Sequence, residues 1–188
     1  MSATSTYMTF LMHKITDPTA VDDYTKKIQT QIDAIDDKTA SEEQKAYKRI
    51  LEQKKSEINI NKYFWDKLID ITEFPDIGTD PEMLETTTLS DDMQTFVVGI
   101  HGNESMNFNA NYDHETYLWI KSFENQTRGY AVWFGGEKRP GNSIPEPTGT
   151  AGKFSFEGQL SVRVTGGGVN EVRGMGITIA PSSVICSE

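Results

Sequence analysis

Two histidines, His101 and His114, flank an asparagine-rich stretch, with Glu104, Asp113 and Glu115 close by in the chain. Imidazoles and carboxylates together are the ligand set of zinc and the partners of acid–base chemistry. A metal would need both imidazoles on one face, and a gap of 13 residues around a strand does not enforce that. Asp91 and Asp92 form an acidic pair, but adjacent residues of an extended chain point to opposite faces and do not share a site. Gly166, Gly167 and Gly168 lack the lysine and the following helix of a phosphate loop. "HGNES" has no nucleophile-elbow pattern. Cys186 is the only cysteine and lies two residues from the end, so neither an internal disulfide nor a multi-thiolate metal site can form. The seven methionines are scattered and read as core filler. The expectation is a protein that is not an enzyme, with no catalytic residue, no metal and no cofactor.

Charge narrows the class further. The 188 residues carry a formal net charge of −10. Residues 14–62 hold ten basic and ten acidic side chains, so the excess lies wholly outside that segment. A field this negative repels nucleic acid rather than gripping it. It is compatible with a surface that DNA passes without sticking, and it predicts that the acidic excess concentrates there. No apolar run reaches the 18 or so residues of a membrane span. "MSATSTYMTF" lacks the charged and apolar regions of a signal peptide, so synthesis in a cytoplasm is expected, with no membrane partner.

Two kinds of sequence must position these residues. Val21, Tyr24, Ile28, Ile32 and Ile35 recur at steps of three and four, a narrow helical stripe up to about Asp37. Ser41 and Gln44 form a capping-box pattern that opens a second helix, whose apolar side is Ala46, Tyr47, Ile50, Leu51 and Ile58. A connection of about five residues makes the pair an antiparallel hairpin packed stripe on stripe. The rest reads mostly as strand: Thr6–Lys14, Phe64–Ile71, Thr95–Ile100, the alternating "MNFNANY" and Gly129–Gly136. A Pro- and Gly-rich loop, "GEKRPGNSIPEPTGTAG", follows. Phe154, Phe156, Gly158, Leu160, Val162 and Val164 then share one face of a long strand whose other face is polar. Glu171–Ala180, with Ile177 and Ile179, returns as its neighbour. A short helix around Tyr117, Ile120 and Phe123 is capped by Asp113. Removing the helical pair makes the first two strands nearly contiguous, so the order describes a two-sheet antiparallel β-sandwich, residues 1–188, with an inserted helical hairpin, residues 15–62.

One stretch fits neither kind. Glu85, Thr86, Thr87, Thr88, Leu89, Ser90, Asp91 and Asp92 favour an extended chain but offer no core face. The residues alone are equally consistent with a segment completed by another chain and with a mobile surface loop.

The stretches "ITEFPDIGTDPEMLETTTLSDDMQTFVVGI", "FNANYD", "YAVWFGG" and "GKFSFEGQLSVRVTGGGVNEVRGMGITIAPSSVI" resemble the major tail (tail tube) proteins of long-tailed, non-contractile bacteriophages. The resemblance covers Thr6–Lys14 and Leu68 to about Ile185. Residues 15–62 depart from the family's pattern, and nothing is carried over for them. The resemblance implies a β-sandwich with a flanking helix, hexameric rings that stack into a tube, and an inner barrel made between subunits. Phe154, Phe156, Leu160, Val162, Val164, Ile177 and Ile179 would belong to the barrel strands. Glu85–Asp92 would be the loop between rings or subunits. It further implies a place in the virion tail, other copies of the chain as partners, and contacts with tape measure, tail terminator and distal tail proteins. DNA would pass without specific binding. The inner tube of a contractile or secretion-type injection machine and a virion decoration or adhesion protein are the alternative readings.

Overall fold

The computed structural model describes residues 8–36, 39–78, 80–90, 92–138, 145–169 and 171–188, with the backbone alone at 100, 101 and 138. Strand makes up 44% of the described residues and helix 26%, so the protein is mainly β, with antiparallel sheets. The chain divides into two compact units: Met1–Asp70 with Gly129–Ser155 and Ser187–Glu188, and Ile71–Arg128 with Phe156–Cys186. Among the described residues no helix is long and apolar enough to cross a membrane.

The first unit is built on β1 (Thr9–Ile15). Its β-rich sequence buries four successive residues, Phe10, Leu11, Met12 and His13, so both faces of the strand are covered. It pairs antiparallel with β2 (Phe64–Ile69) on one side and β7 (Thr127–Lys138) on the other. Phe10, Met12 and Ala131 form one cluster, flanked by Met8, Trp65 and Trp133.

Between β1 and β2 rise α1 (Pro18–Asp33) and α2 (Glu42–Asn61). Asp17 caps α1, accepting from the Thr19 amide at 3.2 Å, with Pro18 in the first turn. The capping box of α2 forms as expected. Gln44 N donates to Ser41 Oγ at 3.3 Å and Ser41 N to Gln44 Oε1 at 2.9 Å. Lys62 ends α2 in the left-handed region, φ 60°. Val21, Ile28 and Ile32 meet Leu51 and Ile58 in a buried cluster. That cluster continues into the strands, taking in Phe64 and Ile15, and the Phe64 ring stacks on Tyr24 with centroids 4.0 Å apart. The helical stripes therefore do not close on each other alone. Ile50, expected on the apolar side, is 42% exposed, because the seam is narrow enough to be filled by Leu51 and Ile58.

The second unit holds the second half of β8 (Pro145–Thr165), then β9 (Gly174–Pro181), β6 (Met106–Asn111) and β3 (Ile71–Glu73), hydrogen-bonded in that order. The alternation of β8 sets the register. Leu160 lies opposite Ile179 and Val162 opposite Ile177, and Phe108 lies opposite Ile177 across the next ladder. Phe156, Leu160, Val162, Met175, Ile177, Ile179, Met106, Phe108 and Ala110 are all buried. Gly158 is required here, since a Cβ would stand 2.6 Å from the Ala180 carbonyl oxygen. The helix α3 (His114–Lys121) is capped by Asp113, which accepts from the Thr116 amide at 2.9 Å and its hydroxyl at 2.7 Å. Beyond α3, Glu124 Oε1 accepts from the Val162 amide at 3.0 Å, satisfying a backbone donor where β7 has ended.

Three boundaries differ from expectation. The strand expected over Phe64–Ile71 breaks at Asp70, and Ile71–Glu73 pairs with β6 instead. The loop expected over 136–152 is largely strand, since β7 reaches Lys138 and β8 starts at Pro145; residues 139–144 lie outside those described. A further strand, β4 (Pro81–Glu85), precedes the threonine run and pairs with β5 (Phe96–His101).

Two outcomes test this packing. Phe64→Ala should destabilise by about 3–5 kcal/mol, the range for deleting a buried aromatic, while Ile50→Ala should stay within about 0.5 kcal/mol, both read by denaturant unfolding. The two hydrogen bonds from Thr116 hold the Asp113 carboxyl below its usual range. A depressed folded-state value means the cap stabilises α3 above about pH 4, the unfolded aspartate value, and is lost as pH falls through the lower folded value. Exchange of the Thr116 amide should therefore accelerate in acid for the native chain, and Asp113→Asn, itself a good cap, should flatten that dependence.

Candidate functional site

The β4–β5 hairpin has the composition of a core and the exposure of a surface. Met83 lies opposite Val98 and Leu84 opposite Val97, with Glu85 opposite Phe96. Adjacent residues point to opposite faces, so both faces of this two-stranded ribbon are apolar. Met83, Leu84, Phe96, Val97 and Val98 are each between 52% and 63% exposed. A two-stranded hairpin alone is marginal in water, and exposed apolar area on this scale marks an interaction surface. Gly99 allows the strands to approach, since a Cβ there would stand 2.9 Å from the Glu82 carbonyl oxygen.

The threonine run forms the tip of this hairpin. Glu85 ends β4. Thr86 N donates to the Thr95 carbonyl at 2.8 Å, the two threonine hydroxyls lie 3.1 Å apart, and Thr95 N donates to Thr87 Oγ1 at 3.1 Å. The threonines thus continue the ladder by one step through their own side chains. Leu89 and Ser90 make the turn, and Leu89 is fully exposed, with Met93 77% exposed. Thr88 follows the ladder, Asp92 lies on the returning arm, and Asp91 lies outside the described residues.

Charge is as uneven as polarity. Residues 71–115 contain ten acidic and no basic side chains, equal to the net charge of the whole chain. Among the described residues Glu82, Glu85 and Asp92 have no ion-pair partner.

The expected barrel-strand residues divide differently. Phe156, Leu160, Val162, Ile177 and Ile179 face the core of the second unit. Phe154 lies in the first unit, its ring edge-on to Phe134 at 5.7 Å, and Val164 is 44% exposed at the strand's end. The opposite face of the same strands is polar. Asn107, Thr178 and Ser161 share one row, and Asn109, Gly176 and Arg163 the next. Thr178 Oγ1 donates to Asn107 Oδ1 at 2.6 Å and Asn109 Nδ2 to Glu73 Oε2 at 2.9 Å. This amide- and hydroxyl-rich face carries few charges. The ten acidic side chains of residues 71–115 lie in the segment that carries β3, the hairpin, β6 and the start of α3.

The sequence reading points to the tip and to the second strand of the ribbon, Thr95–Ile100, but not to β4, which pairs with it. The signal was present in "PEMLE" and "FVVGI", two apolar runs that face each other across a polar turn. No potential metal cluster of three or more His, Cys, Asp or Glu side chains exists among the described residues. The His114 Nδ1 is 2.9 Å from the Tyr112 hydroxyl, and the His101 side chain is not described.

No family model matches the chain, and no curated protein matches it. Solved structures do. The sheath/tube terminator of an extracellular contractile injection system, PVC, in its extended state is 8% identical, with a TM-score of 0.45, over 64% of this chain and 86% of that one. The sheath–tube complex of the same system is 10% identical, with a TM-score of 0.44, over 64% and 81%. The baseplate of the anti-feeding prophage, AFP, is 8% identical, with a TM-score of 0.49, over 100% and 97%.

Leu89→Asp should leave unfolding free energy within about 0.5 kcal/mol of the native chain, because the side chain touches solvent. Gly99→Ala should loosen the ribbon without unfolding the β8–β9–β6 ladder. Amide exchange at Val97 and Val98 should rise while that at Ile177 and Ile179 stays protected.

Proposed function

We propose that this chain is a structural subunit of a phage-tail-like tube, assembling with copies of itself as stacked hexameric rings through which DNA passes. The observation that carries the reading is the β4–β5 hairpin. Its apolar residues are exposed on both faces, and its tip coincides with the "ETTTLSD" run of the tail-tube resemblance. A ribbon of this kind is stabilised by packing into another copy, which removes Leu89, Met93 and Phe96 from water. Each fully buried side chain of that size contributes about 1.5–3 kcal/mol, so three of them per subunit, repeated along a tube, hold the rings together.

The polar face of β8, β9 and β6 suits the bore. Asn107, Asn109, Gln159, Ser161 and Thr178 are solvated amides and hydroxyls, and Glu157, Glu73 and Arg163 nearly cancel. Such a face offers a polyanion neither a basic groove nor a stacking platform. This nearly neutral, slightly acidic wall adds to the repulsion expected of the net charge, so a polyanion passes without sticking. The edge strand β3 offers unpaired backbone groups for strand pairing with a neighbouring subunit, and a head-to-tail contact of this kind repeats in one direction and closes as a ring. The proposed partners are tape measure, terminator and distal tail proteins at the ends of the tube, and the proposed location is the tail of the particle.

Negative-stain electron microscopy of the concentrated protein should show long hollow tubes of uniform width. The double variant Leu89→Asp with Phe96→Asp should remain folded by circular dichroism and form none. Only dispersed or amorphous protein from the native chain at every concentration, or tubes from the double variant equal to the native ones, would overturn the reading.

A further inference from the structure

If the hairpin is the projecting half of a contact, the other half must lie on a second copy. It must offer exposed apolar surface and cations, because the hairpin brings apolar side chains and unpaired carboxylates. Helix α3 and the turn after it meet both conditions. Leu118 is 53% and Trp119 42% exposed. One turn apart on the helix, Glu115, Leu118, Trp119 and Ser122 share a face. Trp119 meets Phe123 edge-on, with centroids 4.9 Å apart, and the Arg128 guanidinium lies over the Phe123 ring at 4.3 Å. An aromatic surface results, with Lys121 exposed beside it and Arg128 half-buried against it, its Nη1 buried without a hydrogen-bond partner.

The two cations at this end share a single nearby carboxylate, Glu124, whose charge favours the protonated form of Lys121. Lys121 donates to the Tyr117 hydroxyl at 3.2 Å, and neither it nor Arg128 has an ion pair among the described residues. The nearest carboxylate in sequence, Glu124, is committed to the Val162 amide. Glu115 lies at the other end of the face, so the patch is polarised, acidic toward the start of α3 and basic toward its end.

We infer that the β4–β5 hairpin of one subunit docks on the α3 face of a second copy, Leu89 and Met93 against Leu118 and Trp119, with Glu85 and Asp92 toward Lys121 and Arg128. The charge pattern selects this occupant. The hairpin, residues 81–101, holds four acids and no base, whereas the later part of α3 and the turn after it, residues 116–128, hold two bases and one acid. Two hairpins would therefore repel each other, and a hairpin against α3 would not. The orientation follows from the polarised patch: the acidic arms of the tip settle at the Lys121 end, away from Glu115.

This inference rests on the assembly reading, and the test separates the two. In a Cys186→Ser background, one batch carries Leu89→Cys and another Leu118→Cys. The batches are mixed, polymerised, oxidised and run on a non-reducing gel, with tubes checked by microscopy. The expected result is a covalent dimer in the mixture well above that of either batch alone. Tubes without excess dimer would overturn the docking while leaving the assembly reading intact; absence of tubes from the native chain would overturn both. Ser122→Cys, one turn on along the same face, replaces Leu118→Cys if that variant does not fold. Lys121→Glu should raise the concentration needed for polymerisation about fivefold, near the upper range of an exposed ion pair. Glu85→Lys placed on the same chain should restore it. No change with Lys121→Glu, or no rescue by Glu85→Lys, would overturn the assigned orientation.

Discussion

The period-two alternation of β8, β9 and β6 is the constraint on which the second unit depends. One register places Leu160, Val162, Ile177, Ile179 and Phe108 on a single dry face. A slip by one residue would exchange that face for Asn107, Ser161 and Thr178. The apolar face cannot be exposed and the polar face cannot be buried without losing its water. The same pattern therefore fixes the core and leaves a flat, nearly neutral wall on the other side. That wall carries few charges, and residues 71–115, which hold the hairpin, carry ten acids and no base.

The β4–β5 ribbon obeys the opposite rule. Its alternation places apolar residues on both faces, and each of them stays more than half exposed. In a stable monomer this would be a liability for solubility and aggregation. In the proposed assembly the acidic residues around it are the counterweight: they would keep like hairpins apart and confine association to a surface of suitable charge, with apolar area providing the strength of the contact and charge its selectivity.

Much of this was legible in the sequence where a local rule had no competitor. The Ser41 capping box, the Asp113 cap, the strand at Met106–Asn111 and the face of Phe156–Val162 each follow from nearest neighbours in the chain. The misplaced boundaries share another cause. "PEPTG" reads as loop because proline and glycine punctuate chains, yet Pro145 begins a strand, where proline is tolerated. "PEMLE" is too short and too acidic to read as strand, and is held as one by its pairing with Val97 and Val98. The break at Asp70 carries no local signal, because it is set by a change of pairing partner, from β1 for Phe64–Ile69 to β6 for Ile71–Glu73. Phe64 was read as part of a strand. That it also completes the helical core through Tyr24 is a tertiary fact that spacing does not contain.

Hydrogen exchange across Pro81–His101, measured on the dilute subunit and on concentrated, assembled protein, reaches the central claim most directly. The account predicts fast exchange at Thr86–Asp92 and along β4 and β5 in the subunit, and strong protection of the same amides after assembly, with the β8–β9 ladder protected in both. Equal exchange of the hairpin in the two states would show that it is a surface loop with no partner.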